Sequence, residues 1–214
     1  MKLPYLQIAL DFIEEKKAFY IAEVVAPLVE ILEVGTPLLK ATGIKIISIL
    51  KKHFPSNLIL ADTKTMDVGA LEAELVFNAG ADIMTVCAAA PIETIQAAIK
   101  KAHELNKKVV VDFIGIKDKL NRAKEIVPLE PDYFNLHTAI DVQHIKGKFF
   151  NDLGLFKKHF SIPLSVAGGI TPDDIGEIIQ YNPDIIVVGG FITKAPDPKE
   201  AIMALKKEIK NVLS

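Results

Sequence analysis

Apolar residues gather in short, almost continuous runs along this chain rather than in strict alternation. The runs are Leu6–Leu10, Val29–Val34, Leu58–Ala61, Ile83–Val86, Val109–Asp112, Tyr133–Leu136, Leu164–Ala167 and Ile185–Val188. Runs of this length and character predict strands buried on both faces, as in a parallel sheet. Between them, helical spacing predicts helices over Glu14–Ala26, Leu38–His53, Val68–Ala79, Pro91–Leu105, Lys117–Val127, Phe149–His159, Pro172–Gln180 and Pro198–Val212. Pro91, Pro172 and Pro198 fall at helix starts, where a missing N–H costs little. Eight strand–helix pairs fill the 214 residues with no spare segment or linker, which predicts a (β/α)8 TIM barrel as a single domain over 1–214. A doubly wound open sheet is the competing architecture. The repeat count argues against it, as does the lack of a Gly-x-Gly-x-x-Gly turn after the first strand.

Composition narrows the functional classes. With 50% hydrophobic and 24% charged residues the chain is neither disordered nor fibrous. A chain of this length buries roughly 70% of its unfolded surface, so it needs no disulfide or structural metal to fold. Twenty-five basic against 27 acidic residues leave a net charge of −2. No basic excess marks a nucleic-acid or membrane-surface partner. Leu3–Leu10 is apolar but ends at once in Asp11, Glu14 and Glu15, unlike a signal peptide, and no run reaches the ~18 residues of a membrane span. The single Cys87 cannot form an internal disulfide, so a cytoplasmic enzyme or binding protein is expected.

In a barrel of this kind the site lies at the C-terminal ends of the strands. There the runs stop in Asp11, Glu33 (before Gly35 and Thr36), the Asp62-Thr63-Lys64-Thr65-Met66-Asp67 segment, Asp112 and His137. So many ionisable groups at one rim are costly unless they pair or hold a cation. Asp62 and Lys64 are two apart and face the same way if the strand continues. An ammonium among carboxylates keeps its proton, which suits it to stabilise a developing oxyanion and not to form a Schiff base. A purely structural ion-pair network is the alternative.

Glu33 and Asp62 fall on adjacent strands, about 4.8 Å apart between backbones. Two carboxylates there repel unless a hard cation lies between them, and all-oxygen ligands favour Mg²⁺. The alternative is that Glu33 pairs with Lys64 and no metal binds. A strand-end histidine, His137, has an ordinary pKa of about 6.5 and suits proton transfer near neutrality. It can equally be a satisfied structural residue. His53, His103, His144 and His159 lie in helical or loop patterns without metal-ligand spacing and are expected to be solvated. Gly168-Gly169 and Gly189-Gly190 end the seventh and eighth strands. Loops at those two positions are the recurrent phosphate site of this fold, where glycine lets backbone N–H groups approach an anion. Cys87 reads as a small rim or core side chain without thiol activation. Lys117, Lys119 and Arg122, the last being the chain's lone arginine, read as a solvated helix face.

Together, Ala9-Leu10-Asp11, Glu33-Val34-Gly35-Thr36, the Asp-x-Lys-x-x-Asp of Asp62, Lys64 and Asp67, His137 and both Gly-Gly turns resemble the orotidine-5′-phosphate decarboxylase suprafamily over essentially the whole chain. His137-Thr138-Ala139-Ile140-Asp141-Val142-Gln143 is similar to a segment of its formaldehyde-fixing branch. The branch that decarboxylates 3-keto-L-gulonate 6-phosphate would carry arginine at Ile140 and another just after the last glycine pair, where Phe191 stands. The orotidine branch would carry a further aspartate at Val68.

The resemblance implies a reversible, Mg²⁺-dependent aldol reaction of D-ribulose 5-phosphate with formaldehyde through an enediolate, with Mn²⁺ as a possible substitute ion. It implies Glu33 and Asp62 as metal ligands, and Lys64 as the second positive group on the enediolate. His137 becomes the candidate base, with Asp67 or Asp112 orienting it or relaying protons. Asp11 would hold Lys64 or substrate hydroxyls, and Gly168, Gly169, Gly189 and Gly190 the phosphate. It further implies a homodimer whose site lies near the interface, with Asp67 reaching the partner's site. Decarboxylation of 3-keto-L-gulonate 6-phosphate through the same enediolate is the nearest rival. A non-catalytic sugar-phosphate-binding barrel is the rival from another class.

Overall fold

In the computed structural model, which describes residues 3–143 and 150–213, eight parallel strands close into a barrel in sequence order. They are β1 (Tyr5–Leu10), β2 (Ile31–Val34), β3 (Leu58–Thr65), β4 (Ile83–Cys87), β5 (Lys108–Asp112), β6 (Tyr133–His137), β7 (Leu164–Ala167) and β8 (Ile185–Val188). β1 pairs with both β2 and β8, so the sheet has no free edge. The (β/α)8 barrel that the apolar runs predict is the observed fold. Side chains alternate along each strand, and this splits the core in two. Outward residues such as Leu10, Val34, Ile59, Val111 and Phe134 pack under the helices. Inward ones form a small plug of Ala9, Ile31, Leu60, Ile83, Val110, Ala167, Ile185 and Val187.

Several predicted elements differ in detail. The helix expected over Leu38–His53 is two helices, Thr36–Thr42 and Lys45–His53. Gly43 adopts φ +74° between them and caps the first through its N–H on Leu39 O. β2 begins at Ile31, after a 3₁₀ turn at Ala26–Leu28 that carries Pro27. The helix expected from Pro172 opens as a 3₁₀ turn, Pro172–Asp174, before Ile175–Ile179, with Thr171 and Asp174 forming a reciprocal cap. A short helix, Gly190–Thr193, follows β8 directly. The expected solvated face of Lys117, Lys119 and Arg122 needs correction. Arg122 donates to the carbonyls of Ala88 and Ala90, both at 2.6 Å, and Lys119 pairs with Asp152 at 2.5 Å. A planar guanidinium can bridge two carbonyls of one loop, so Arg122 fastens the turn after β4. His144 and Phe149 lie outside the described residues.

The N-terminal rim shows a repeat absent from the motif pattern. The acids that precede the even strands, Glu30, Asp82, Asp132 and Asp184, each accept a backbone N–H from the preceding odd strand. The donors are Leu6, Ile59, Val109 and Leu164, at 2.8, 3.0, 2.9 and 2.9 Å. These N–H groups sit where the ladder begins, and a backbone donor in a packed rim needs an acceptor. Three of the acids also face basic side chains: Lys51 and Lys107 on Asp82, His103 on Asp132, Lys157 on Asp184. Burial alone would raise Asp82, but hydrogen bonds from Lys51, Ile59 and Lys107 hold it below its ordinary value of 3.8. A lowered carboxyl stabilises the fold above its unfolded value and loses that contribution as acid protonates it. Asp82→Ala is therefore expected to cost about 1–3 kcal/mol in urea unfolding near neutral pH. The gap from wild type should close as pH falls below 3.8; a gap independent of pH would remove this account.

Candidate active site

At the opposite rim the strands deliver charged side chains inward. β3 does most to shape the mouth. It runs on past Ala61, and its register against β4 slips between Ala61 and Thr65. Thr85 of β4 bridges the bulge. Its hydroxyl donates to Asp62 Oδ1 at 2.8 Å and accepts the Lys64 N–H at 2.9 Å, while its carbonyl accepts the Thr63 hydroxyl at 2.6 Å. Lys64 takes φ +47°, a left-handed conformation uncommon for a residue with a Cβ. The turn brings its ammonium onto Asp62 Oδ2 at 2.5 Å, with Asp112 Oδ2 at 3.7 Å. Asp62 and Lys64 thus meet as their spacing predicts, by way of a bulge.

Asp112, at the end of β5, is buried, at 1% exposure. Its Oδ1 accepts the Ile114 N–H at 2.9 Å, and its Oδ2 faces both Lys64 and His137 Nδ1, the latter at 2.9 Å. Behind it, Phe113, Phe134 and Phe156 pack edge to face with centroids 5.0–5.9 Å apart, which anchors the strand end. Because a carboxylate only accepts, the Asp112 contact places the imidazole proton on Nδ1 and leaves Nε2 as the acceptor.

Electrostatics separate these groups. Desolvation pushes the Lys64 ammonium down, but Asp62, Asp112 and Glu33 outweigh it and hold its pKa above the ordinary value. Burial likewise opposes ionisation of Asp62, yet Lys64, Thr36 and Thr85 keep it lowered. Thr36 Oγ1 donates to Asp62 Oδ2 at 2.7 Å. Glu33 goes the other way. Burial, Asp62 and Asp11 drive it well above the usual carboxylate range, against the Gln7 hydrogen bond and Lys64. Lys64 does not pair with Glu33, whose hydrogen bond comes from Gln7 Nε2 at 2.7 Å. Desolvation and Asp62 raise Asp11 too, with Lys64 and His137 opposing. Asp11 lies against two glycines: a Cβ at Gly35 would stand 2.2 Å from its Oδ1, and one at Gly189 3.8 Å from its Oδ2. Cys87 is buried; desolvation and Asp112 push its thiol up to about 11, so it stays protonated and is no nucleophile at neutral pH.

Six predicted site residues, Asp11, Glu33, Asp62, Lys64, Asp112 and His137, therefore share one electrostatic cluster. Asp67 does not join it. Its carboxylate is exposed and accepts the Val68 N–H at 2.7 Å. Gly168 and Gly169 turn at φ +121° and +66°, and a Cβ on Gly168 would stand 2.6 Å from Thr138 O, so this turn requires glycine. Gly190 borders Lys194, whose Nζ lies 4.0 Å from where a Cβ on Gly190 would stand. Among the described residues, no three His, Cys, Asp or Glu side chains gather as a metal cage by themselves. What the mouth offers a cation is the Glu33–Asp62 carboxylate pair, one half of which lacks a positive partner. Sequence reasoning missed Gln7, Thr85 and Lys194, and it named Thr36 without giving it a role. A polar Gln7 amid the apolar residues of β1 was the signal available for the first.

The barrel mouth thus gathers carboxylates, one ammonium and an aspartate-held imidazole beside two glycine turns, the charged groups of a candidate enzyme site. A sequence profile described as "Orotidine 5'-phosphate decarboxylase / HUMPS family" matches residues 4–205, and the chain belongs to that family. It is 40% identical over 204 residues to the 3-hexulose-6-phosphate synthase of Mycobacterium gastri, covering 95% of this chain and 99% of that one. A crystal structure of a 3-hexulose-6-phosphate synthase superposes with a TM-score of 0.91 at 40% identity, covering 96% and 99% of the two chains. The crystal structure of 3-keto-L-gulonate-6-phosphate decarboxylase from Vibrio cholerae gives a TM-score of 0.89 at 33% identity, covering 99% of each chain. The chain is an enzyme of the carbon–carbon lyase type.

Proposed function

We propose that this enzyme condenses D-ribulose 5-phosphate with formaldehyde, reversibly, to give D-arabino-hex-3-ulose 6-phosphate. The observation that carries the reading is the row His137–Asp112–Lys64–Asp62, in which one buried carboxylate orients a base and shares an ammonium with another. His137 Nε2, left free by the Asp112 contact, takes the proton from C1 of the ketose. The electron pair moves into the carbonyl and forms an enediolate, and Lys64 stabilises the charge on its oxygen. The C1 carbon then attacks the formaldehyde carbon, and the new alkoxide recovers the proton from His137. One C–C bond forms, and nothing is oxidised or reduced. Asp11 suits substrate hydroxyls near the Gly35 and Gly189 turns.

Glu33 and Asp62 fit a divalent ion. Both are hard oxygen donors, and Glu33 is a buried carboxyl beside two others with no ammonium of its own. Glu33 and Asp62 would hold Mg²⁺, or Mn²⁺ in its place, and the ion would supply Lewis-acid charge at the mouth. The Gly168-Gly169 and Gly189-Gly190 turns suit the phosphate, and Lys194 adds a cation beside them. The exposed Val68, Leu71 and Leu75 recur on one side of the helix Gly69–Asn78, next to exposed Met66 and Asp67. A second copy docking there would make a homodimer and account for Asp67, which the mouth of its own chain does not use. The lone thiol of Cys87 suits the reducing cytoplasm.

Purified protein with Mg²⁺ should consume formaldehyde only when ribulose 5-phosphate is present. EDTA should stop the reaction, and Asp62→Ala or Lys64→Ala should lower its rate roughly a hundredfold or more. No formaldehyde uptake, with CO₂ released from 3-keto-L-gulonate 6-phosphate, would move the enzyme to the decarboxylase branch. Lys194→Met should raise KM for ribulose 5-phosphate about tenfold, the worth of one charged hydrogen bond, with kcat little changed. An unchanged KM removes Lys194 from the phosphate site. In sedimentation equilibrium the wild type should run as a dimer and Leu71→Lys as a monomer. A monomeric wild type would end the dimer proposal.

A further inference from the structure

Gln7 sits in β1 with its side chain in the barrel interior, 4% exposed, on the same face as Ala9 and Asp11. Its backbone neighbours across the sheet are Ile31 and Val187, both members of the inner apolar plug. The amide donates from Nε2 to Glu33 Oε2 at 2.7 Å. Its own Oε1 is buried and, among the described residues, has no hydrogen-bond partner.

An amide in this place is destabilising. Leucine or methionine would fill the space without stranding a carbonyl oxygen, and the unpaired oxygen costs stability. Among the described residues, the one hydrogen bond of the Gln7 side chain is the N–H it directs at Glu33, whose carboxyl has rotatable bonds of its own and no other hydrogen-bond partner there. Carboxylates that hold metals are in turn held by hydrogen bonds from behind, and losing those bonds loosens the metal. We propose that Gln7 is a positioning residue: it fixes the Glu33 carboxylate in one orientation for the divalent cation shared with Asp62. This rests on the metal reading of Glu33 and Asp62 above, and goes beyond it by giving that site a buried second layer.

The test measures metal binding without substrate or turnover. Mn²⁺ is titrated into wild type, Gln7→Leu, Gln7→Met and Glu33→Gln, with free Mn²⁺ followed by electron paramagnetic resonance. Thermal unfolding of each metal-free protein is recorded in parallel. The expected result is Mn²⁺ binding to wild type, none to Glu33→Gln, and at least tenfold weaker binding to both Gln7 variants. The melts show that each variant is folded; the gain from removing the stranded oxygen is offset by the loss of the Glu33 donor, so the unfolding temperatures should stay near wild type. Two folded Gln7 variants that bind Mn²⁺ within twofold of wild type overturn the positioning role and leave the metal site standing. A wild type that binds no Mn²⁺, or binds it no better than Glu33→Gln, overturns the metal site itself and Gln7's role with it.

Discussion

An ammonium group lodged between two buried carboxylates is the interaction on which the mouth of this barrel depends. Asp62 and Asp112 arrive from β3 and β5, strands that are not neighbours, and Lys64 is the group that touches both. Their attraction holds the Lys64 pKa above and the Asp62 pKa below the ordinary values, against the desolvation that opposes both charges. Without the ammonium, the two buried carboxyl groups, one of them holding His137, would face the barrel mouth with no cation between them. In the proposed reaction, orientation of the base and stabilisation of the enediolate are therefore one electrostatic arrangement.

The backbone is bent to place that ammonium. β3 slips its register just where Asp62, Thr63 and Lys64 must all face usefully, and Lys64 and Val68 both adopt φ +47°. Such conformations cost of order 1–3 kcal/mol each and persist only where surroundings over-determine them. Here the Thr85 hydroxyl and carbonyl hold the bulge from β4, and the ion pair holds its tip. The strain lies between the two aspartates of the Asp-x-Lys-x-x-Asp segment and at its end, so the motif encodes a shape as well as a set of charges.

The barrel was legible because strands buried on both faces leave long apolar signatures that no surface requirement interrupts. The site's charged members were legible for the converse reason: Asp11, Glu33, Asp62, Asp112 and His137 stand where those signatures stop. What escaped was anything carried by geometry instead of residue type. The bulge in β3 has no marker glycine, since a lysine takes the left-handed position. Thr36 and Thr85 look like an ordinary helix-start and an ordinary strand threonine until their hydroxyls are seen on Asp62. Arg122 reads as one more charge on a polar helix, yet its reach to Ala88 and Ala90 depends on a neighbouring turn that periodicity does not describe. The divided helix at Gly43 was the more readable miss, because a glycine inside a helical stretch is a common stop.

Carboxylates at the two rims of this barrel also show why position decides what an acidic residue does. At the N-terminal rim Asp82 receives a backbone N–H and two lysine ammonium groups, and its pKa falls. Every lone pair it needs to fill is filled by the fold, so its charge stabilises and has nothing left to offer a ligand. At the C-terminal rim Glu33 receives one amide N–H and faces two further carboxylates, and its pKa rises. Its carboxyl is under-compensated by the protein alone, and in the proposed function that leaves it for a cation from solution. The same residue class thus serves stability at one rim and, in that proposal, ligand capture at the other. The barrel keeps the two uses apart by the length of its strands.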